Sequence, residues 1–292
     1  ETYQLLRNKK GNVRLSLTVN GEQKEVSFDH DKTKNRLISI QKNMYLQELG
    51  ITDKDWKVKK AMISKYKQIN KYIEILDPEI EKIDLPESFK IIDMGSGKGY
   101  LTFALYDYLV NQRKIEVKIT GIELRQELVD FCNDTAKKCG FENLKFEAKP
   151  IEEYSKKIDV LIALHACDTA TDDAILKGLK SKSELIITAP CCHKQIRQQL
   201  KGKEQESPIL KYGIFKERQY EMVTDTIRAL ILEKNQYSTK VFEFISNEHT
   251  RKNVMLVGQK SNKKPDTKIL SEKIEGLKNQ FEIESHYLET LV

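Results

Sequence analysis

The sequence predicts an α/β fold in which a doubly wound, mostly parallel sheet of seven strands lies between helices. After Pro86, short apolar runs typical of buried strands alternate with amphipathic helical patterns. A glycine-rich turn separates the first of these strands from the helix that follows it. Right-handed crossovers then place the turn after each strand along one edge of the sheet, where α/β proteins bind ligands.

Each predicted element follows from its own pattern. The predicted strands are 89–94, 117–123, 144–148, 158–164 and 185–189, with 241–245 and 254–257 as a closing antiparallel pair. The predicted helices after Pro86 are 100–109, 126–138, 169–179 and 220–232. An earlier, long helix is expected to begin near Asp53 and to end at Asp77-Pro78, because the residue before a proline disfavours helical geometry.

The sequence patterns at the two ends of the chain predict smaller structural units. Residues 13–28 predict a hairpin, with strands 13–19 and 25–28 joined by a type I′ turn at Asn20-Gly21. A polar linker at 261–266 precedes a terminal amphipathic helix. These patterns divide the chain into a small N-terminal hairpin and helical extension (1–52), the α/β domain (53–262) and a C-terminal linker and helix (263–292).

Composition limits the protein class. No apolar run reaches the roughly 18 residues that a membrane-spanning helix needs, so no membrane partner is expected. Five cysteines are too few for a disulfide framework at 292 residues, and they favour a reducing, cytoplasmic setting.

Positive charge is concentrated in two segments. The net charge is +6, and Lys54–Lys71 holds seven lysines against one acid, Asp55. A second basic segment is Lys194–Lys203. Such segments suit a polyanionic partner, although an ordinary solvated face is an equally good interpretation.

The glycine-rich turn is the first candidate site. Its sequence is Asp93-Met94-Gly95-Ser96-Gly97-Lys98-Gly99, and the following helix offers free N–H groups to an anionic ligand. Gly95 and Gly97 permit close backbone approach to a ligand, whereas Gly99 permits the helix to pack on the strand. Glu123, at the end of the second strand, can accept hydrogen bonds from ribose hydroxyls. NAD binding is the alternative on these residues.

Residues 90–110 resemble the first motif of class I S-adenosylmethionine-dependent methyltransferases. The resemblance implies a Rossmann-like methyltransferase sheet and S-adenosylmethionine as cofactor. It implies that the turn holds the cofactor's methionine part and that Glu123 holds its ribose. Lys149 follows the third strand where an acid is common, so Glu152 is the substitute near the adenine. The candidate cofactor-binding residues are Asp93, Gly95, Ser96, Gly97, Gly99, Glu123, Glu152 and Leu164.

Two later loops are more distinctive. The fourth strand ends in Leu164-His165-Ala166-Cys167-Asp168-Thr169-Ala170-Thr171-Asp172, and the fifth in Ala189-Pro190-Cys191-Cys192-His193. This pair resembles the methyltransferase family that includes the tRNA acceptor-stem 2′-O-methyltransferases, over residues 55–260. That family usually has glycine where this chain has Asp168. The resemblance implies an RNA substrate.

The two loops supply the candidate catalytic residues His165, Asp168, Cys191, Cys192 and His193. A hydroxyl or ring nitrogen must lose its proton on methylation, and His165, Asp168, Asp172 and His193 are candidates for the general base. Asp168 is equally well explained as the N-cap of the helix that follows it.

The cysteines admit two further roles. A thiolate can add to a pyrimidine ring, but buried cysteines are more often small packing residues. Zinc binding by His165, Cys167, Cys191, Cys192 and His193 is conceivable from the ligand types. Because two of the cysteines are adjacent and no Cys-x-x-Cys pair is present, we expect no metal.

The sequence therefore predicts an S-adenosylmethionine-dependent methyltransferase that modifies RNA, with RNA docking on Lys54–Lys71 and Lys194–Lys203. The alternatives are a protein or small-molecule methyltransferase and a non-catalytic cofactor-binding protein that serves RNA binding or assembly.

Overall fold

A computed structural model of the chain describes residues 2–7, 13–18, 36–164, 166–202, 208–244 and 253–292. The chain divides into two compact units, residues 1–36 and 37–292. In the first unit, β1 (Thr2–Arg7) pairs antiparallel with β2 (Val13–Thr18). The strand predicted at 13–19 is present, but its described partner precedes it. The predicted turn at Asn20-Gly21 and the return strand 25–28 lie outside the described residues.

The second unit is built on a seven-stranded sheet. Its strands are β3 (Phe89–Met94), β4 (Val117–Glu123), β5 (Leu144–Ala148), β6 (Val160–Ala163), β7 (Leu185–Thr188), β8 (Tyr237–Glu243) and β9 (Val254–Lys260). They lie in the order β5-β4-β3-β6-β7-β9-β8. The first five strands are parallel, and β9 runs antiparallel to both β7 and β8. The predicted fold class is confirmed, and the strand order reverses between β3 and β6, where such sheets bind ligands.

Helices flank this sheet. They are α1 (Met44–Glu48), α2 (Ile63–Glu81), α3 (Tyr100–Tyr106), α4 (Gln126–Lys138), α5 (Thr169–Ser181), α6 (Lys194–Gln199), α7 (Gly213–Lys234), α8 (Thr267–Gln280) and α9 (Tyr287–Leu291). A π-helical segment, Asp107–Gln112, continues α3 beyond its predicted end. None of the described helices combines the length and the apolar character needed to cross a membrane.

Alternate residues of each strand contribute to two different apolar clusters, because successive side chains point to opposite faces of a sheet. Ile91 belongs to the cluster with α1–α4, whereas Ile92 belongs to the cluster with α5–α9. The segment before α1 also joins the first cluster through Ile38, which is fully buried. Residues 37–52, which the sequence assigned to an extension, thus contribute to the core of the second unit.

Helix α2 differs from its prediction at both ends. The Asp53 carboxylate accepts hydrogen bonds from the backbone N–H groups of Asp55 and Lys57, each 2.9 Å long, so this segment turns instead of starting a helix. Pro78 lies inside the helix, which ends at Glu81. Arg113 bonds to both Asp77 and Glu81 across the last turn, which holds the helix together beyond the proline.

Gly121 in β4 has no room for a side chain. A Cβ atom there would lie 2.4 Å from a ring carbon of Phe146 and 2.8 Å from the Ser96 hydroxyl oxygen. We expect Gly121→Ala to lower the free energy of unfolding by about 1–3 kcal/mol through overpacking, measured by urea denaturation.

In the control, Gly276→Ala in α8, the added methyl group meets nothing within 4 Å. Helix propensity should then raise stability by about 0.5–1 kcal/mol. Equal stability of the Gly121 variant and the wild type would contradict this packing.

Candidate active site

A cavity of about 750 Å³ opens where β3, β4 and β6 end. Seven of the eight candidate cofactor residues line it: Asp93, Gly95, Ser96, Gly97, Glu123, Glu152 and Leu164. Its volume is typical of a site for a small ligand. Lys65 from α2 also lines it, which the sequence analysis did not anticipate.

Backbone hydrogen bonds hold the glycine turn against β4. The N–H groups of Gly95 and Ser96 both donate to the Ile122 carbonyl, at 2.8 and 3.0 Å. Gly97 adopts a left-handed φ of 57°, and a Cβ atom there would meet no atom within 4 Å. A side chain at Gly97 would therefore extend into open space beside the cavity instead of into the core.

Gly99 is the candidate that does not line the cavity. It precedes α3 with a left-handed φ of 71°. A Cβ atom there would lie 3.0 Å from Phe103 and 3.1 Å from Phe146. The structure therefore shows Gly99 packed between helix and sheet, as its place in the motif suggested.

Glu123 is a buried, ionised acceptor. One oxygen accepts from the Arg125 Nε and backbone N–H, at 2.9 and 3.2 Å, and the other from the Gly97 N–H, at 3.0 Å. Burial acts to raise the pKa of Glu123, but these hydrogen bonds outweigh it and hold the pKa below its usual value. The remaining lone pairs suit the hydroxyl donors of a ribose.

Asp93 is the second buried carboxylate of the cavity. Thr102 Oγ1 donates to its Oδ2 at 2.6 Å. Burial raises the pKa of Asp93 to about 6, and the Thr102 hydrogen bond opposes that rise. The carboxylate therefore carries its negative charge at neutral pH and loses it in mild acid.

The loops after β6 and β7 meet through their cysteines. Cys167 lines the cavity, and its Sγ lies 3.3 Å from that of Cys191. Cys192 Sγ lies 3.6 Å from Cys191 Sγ. Burial and the neighbouring thiols raise the pKa of Cys191 to about 12, so it is protonated at neutral pH and poorly suited to nucleophilic attack. His165 lies outside the described residues.

Asp168 does not cap its own helix. Its carboxylate accepts from the backbone N–H of Gln195, at 3.1 Å, and so caps α6 on the opposite loop. Its backbone has φ of 53° and ψ of −121°, a conformation that favours glycine. Asp168 therefore ties the two loops together.

A buried ionic cluster supports both loops. Arg228, 1% exposed, donates to both carboxylate oxygens of Asp172, at 2.7 and 3.0 Å. It also donates to Asp225, at 3.1 Å, and to the Asp168 carbonyl, at 3.0 Å. His193 Nε2 lies 3.3 Å from the same Asp225 carboxylate. Neither Arg228 nor Asp225 was among the residues predicted from the sequence.

These contacts change the interpretation of the general-base candidates. Asp172 is engaged by Arg228, and burial raises its pKa although Arg228 opposes the rise. Asp168 and His193 are not among the residues that line the cavity, because their side chains are directed to Gln195 and Asp225. All three side chains therefore make contacts that hold the loops in place. A lone arginine within the apolar run 227–232 was the available sequence indication of the cluster.

The family model described as "Methyltransferase domain" matches residues 64–199. The match covers slightly less than half of the chain and contains the glycine turn and both cysteine loops.

Curated relatives include the "Glutathione S-transferase C-terminal domain-containing protein" of Macaca fascicularis and that of Homo sapiens. Each is 23% identical in an alignment that covers 70% of this chain and 36% of the relative. The chain thus spans about a third of the length of these relatives.

Similar solved structures include magnesium protoporphyrin IX methyltransferase from Synechocystis with bound S-adenosylhomocysteine, at 13% identity and a TM-score of 0.47. That alignment covers 74% of this chain and 93% of the other. Another is precorrin-6y C5,15-methyltransferase from Geobacter metallireducens, at 16% identity and a TM-score of 0.39, covering 64% of this chain and 88% of the other.

The pKa of Asp93 makes cofactor affinity depend on pH. We expect the affinity for S-adenosylmethionine to fall as pH drops through about 6, because protonated Asp93 no longer attracts the positive methionine part. Calorimetry from about pH 8 to about pH 5 measures this effect. Asp93→Asn should weaken binding about tenfold or more at the higher pH and flatten the dependence.

Thr102→Val is the matched control for this prediction. It removes the hydrogen bond that lowers the pKa of Asp93 while the carboxylate remains, so the midpoint should move to higher pH. An unchanged pH profile in Asp93→Asn would show that another group is responsible.

Proposed function

We propose that this chain, whose residues 64–199 form a methyltransferase domain with the class I fold, transfers a methyl group to RNA. In this proposal S-adenosylmethionine is the cofactor of the domain and the source of the methyl group. RNA as the acceptor of the methyl group is our own inference.

The observation that carries the proposal is a lysine surface beside the cofactor cavity. Lys65 and Lys98 line the cavity itself. The exposed lysines of the same segment are counted with this surface: Lys54, Lys57, Lys59, Lys60, Lys67 and Lys71. Among the described residues, only Glu74 forms an ion pair with this surface, through Lys71. Charge that is not neutralised within the protein suits a phosphate backbone.

A second basic surface adds aromatic rings. Lys194, Lys201 and Lys216 line a groove at the start of α7. In the same region Tyr212 and Phe215 are 57% and 42% exposed, with their rings edge to face and 5.9 Å apart. Exposed rings beside lysines suit the stacking of unpaired RNA bases. Lys203 of the predicted segment lies outside the described residues.

Of the possible methyl acceptors in RNA, the ribose 2′-hydroxyl fits the site best. Both cysteine loops resemble those of the family that includes acceptor-stem 2′-O-methyltransferases. The raised pKa of Cys191 argues against the thiolate attack that methylation of a pyrimidine carbon needs. Methyl transfer to a hydroxyl requires mainly that the hydroxyl is held in line with the sulfonium methyl group. The loops after β6 and β7, which Asp168 and Gln195 join, suit that positioning role.

Binding to RNA should depend steeply on salt, because phosphate contacts release counterions. We expect the triple variant with Lys57, Lys60 and Lys67 changed to Gln to bind less tightly. Its slope of log affinity against log salt should be shallower by about 2 for single-stranded RNA. Fluorescence anisotropy with labelled tRNA and unstructured RNA measures both quantities.

The matched control changes Lys264, Lys268 and Lys273 to Gln, which alters net charge equally at exposed lysines on the C-terminal segment. It should leave the slope close to that of the wild type. Equal slopes in both triple variants would show that the lysine surface is ordinary solvated charge and does not bind RNA.

The product of the reaction identifies the acceptor. Purified protein is incubated with total RNA and S-adenosylmethionine carrying a labelled methyl group, and the digested nucleosides are separated by mass spectrometry. We expect label in 2′-O-methyl nucleosides. Gly97→Val should give none, because the valine side chain would occupy the space at the cofactor turn and its backbone would be strained at a φ of 57°.

Two results would contradict the proposal. Label in protein or in small molecules but not in RNA would exclude the RNA substrate. Label on pyrimidine carbons, together with a covalent adduct to 5-fluoropyrimidine RNA that Cys191→Ser abolishes, would exclude the hydroxyl acceptor and establish cysteine attack.

A further inference from the structure

Three sulfur atoms from two loops converge at the rim of the cofactor cavity. Cys167 comes from the loop after β6, and Cys191 and Cys192 come from the loop after β7. Their Sγ atoms all lie within 4.8 Å of one another. No other group of three or more potential metal ligands of this kind occurs among the described residues.

The spacing of the sulfur atoms matches a thiolate metal site. Zinc binds cysteine sulfur at about 2.3 Å in tetrahedral geometry, which separates neighbouring sulfur atoms by about 3.8 Å. The contacts of Cys191 with Cys167 and Cys192 are 3.3 and 3.6 Å, and the third pair is within 4.8 Å. Shifts of a few tenths of an ångström to about one ångström would place all three around one ion.

Packing and disulfide formation explain this cluster less well. Cysteines that serve as small packing residues are normally buried, whereas Cys167 is exposed and Cys191 and Cys192 are partly exposed. A disulfide would join two of the sulfur atoms and leave the third without a role. Partial exposure also leaves a path by which an ion can enter.

We propose that Cys167, Cys191 and Cys192 bind one Zn²⁺ ion through three thiolates. On binding, each thiol gives its proton to solvent and forms one sulfur–zinc bond, without any change of oxidation state. Cys167 lines the cofactor cavity, so the proposed ion would lie next to that cavity. The site does not depend on the acceptor being RNA.

The ion would join the same two loops that other contacts already join. The Asp168 carboxylate reaches the first turn of α6, and Arg228 and Asp225 connect the loops from α7. Zinc would add a further link between these two loops, next to the cavity. The sequence spacing argued against a metal because it contains no Cys-x-x-Cys pair, but the parallel neighbours β6 and β7 bring the third ligand to the other two.

The test uses the complete chain, stripped of metal by a chelator and kept reduced. Co²⁺ is titrated as a spectroscopic probe and Zn²⁺ is then added in competition. We expect one Co²⁺ per chain, a sulfur-to-cobalt charge-transfer band, visible bands typical of tetrahedral coordination, and full displacement by Zn²⁺. Cys167→Ser, Cys191→Ser and Cys192→Ser should each weaken Zn²⁺ binding by about tenfold or more.

Cys139→Ser is the matched control, because Cys139 is partly exposed and lies outside the cluster. Its metal affinity should equal that of the wild type, and circular dichroism should show that all four variants are folded. The absence of a sulfur-to-cobalt band, or equal affinity in all four variants, would overturn the proposal. So would a Cys167–Cys191 disulfide that forms under these reducing conditions and prevents metal binding.

Discussion

The buried guanidinium of Arg228 is the interaction on which the arrangement of the two cysteine loops depends. It contacts Asp172 in α5, Asp225 in α7 and the Asp168 carbonyl between β6 and α5. Leaving these carboxylates buried without it would cost about 3–5 kcal/mol. Because Asp225 also contacts His193, the pair of Arg228 and Asp225 in α7 reaches both loops.

The cofactor half of the site is held by a different kind of interaction. Its glycine turn is anchored by the backbone carbonyl of Ile122, and Glu123 accepts a backbone hydrogen bond from Gly97. These contacts follow from the pairing of β3 with β4 and need few specific side chains. The two cysteine loops rely instead on side chains that meet across loops, such as the Asp168 carboxylate, which accepts from the N–H of Gln195. One half of the site is therefore specified by strand pairing and the other by long-range ion pairs.

This difference explains how much of the molecule the sequence could predict. The bounds of β4 and α4 were predicted correctly because apolar periodicity and flanking breaks are local. The turn after β3 was recognised because its glycines are consecutive in the chain. The start of α2 was misplaced because the lysine-rich segment contains no indication of the turn that Asp53 forms. The partners of Arg228 and the meeting of Cys167 with Cys191 depend on tertiary structure, which no local pattern encodes.

The C-terminal segment has a consequence for the order in which the site is completed. Gln195 and Gln199 of α6 both donate to the Ser285 carbonyl, and Tyr287 donates to Asp173 at the start of α5. A chain emerging from the ribosome has its cofactor turn long before it has Arg228 or Ser285, and domains fold as their residues become available. A nascent or C-terminally truncated chain would thus have its cofactor turn in place while the two cysteine loops still lacked these contacts. Synthesis of α9 therefore marks the step at which the loops after β6 and β7 gain their contacts with the C-terminal segment.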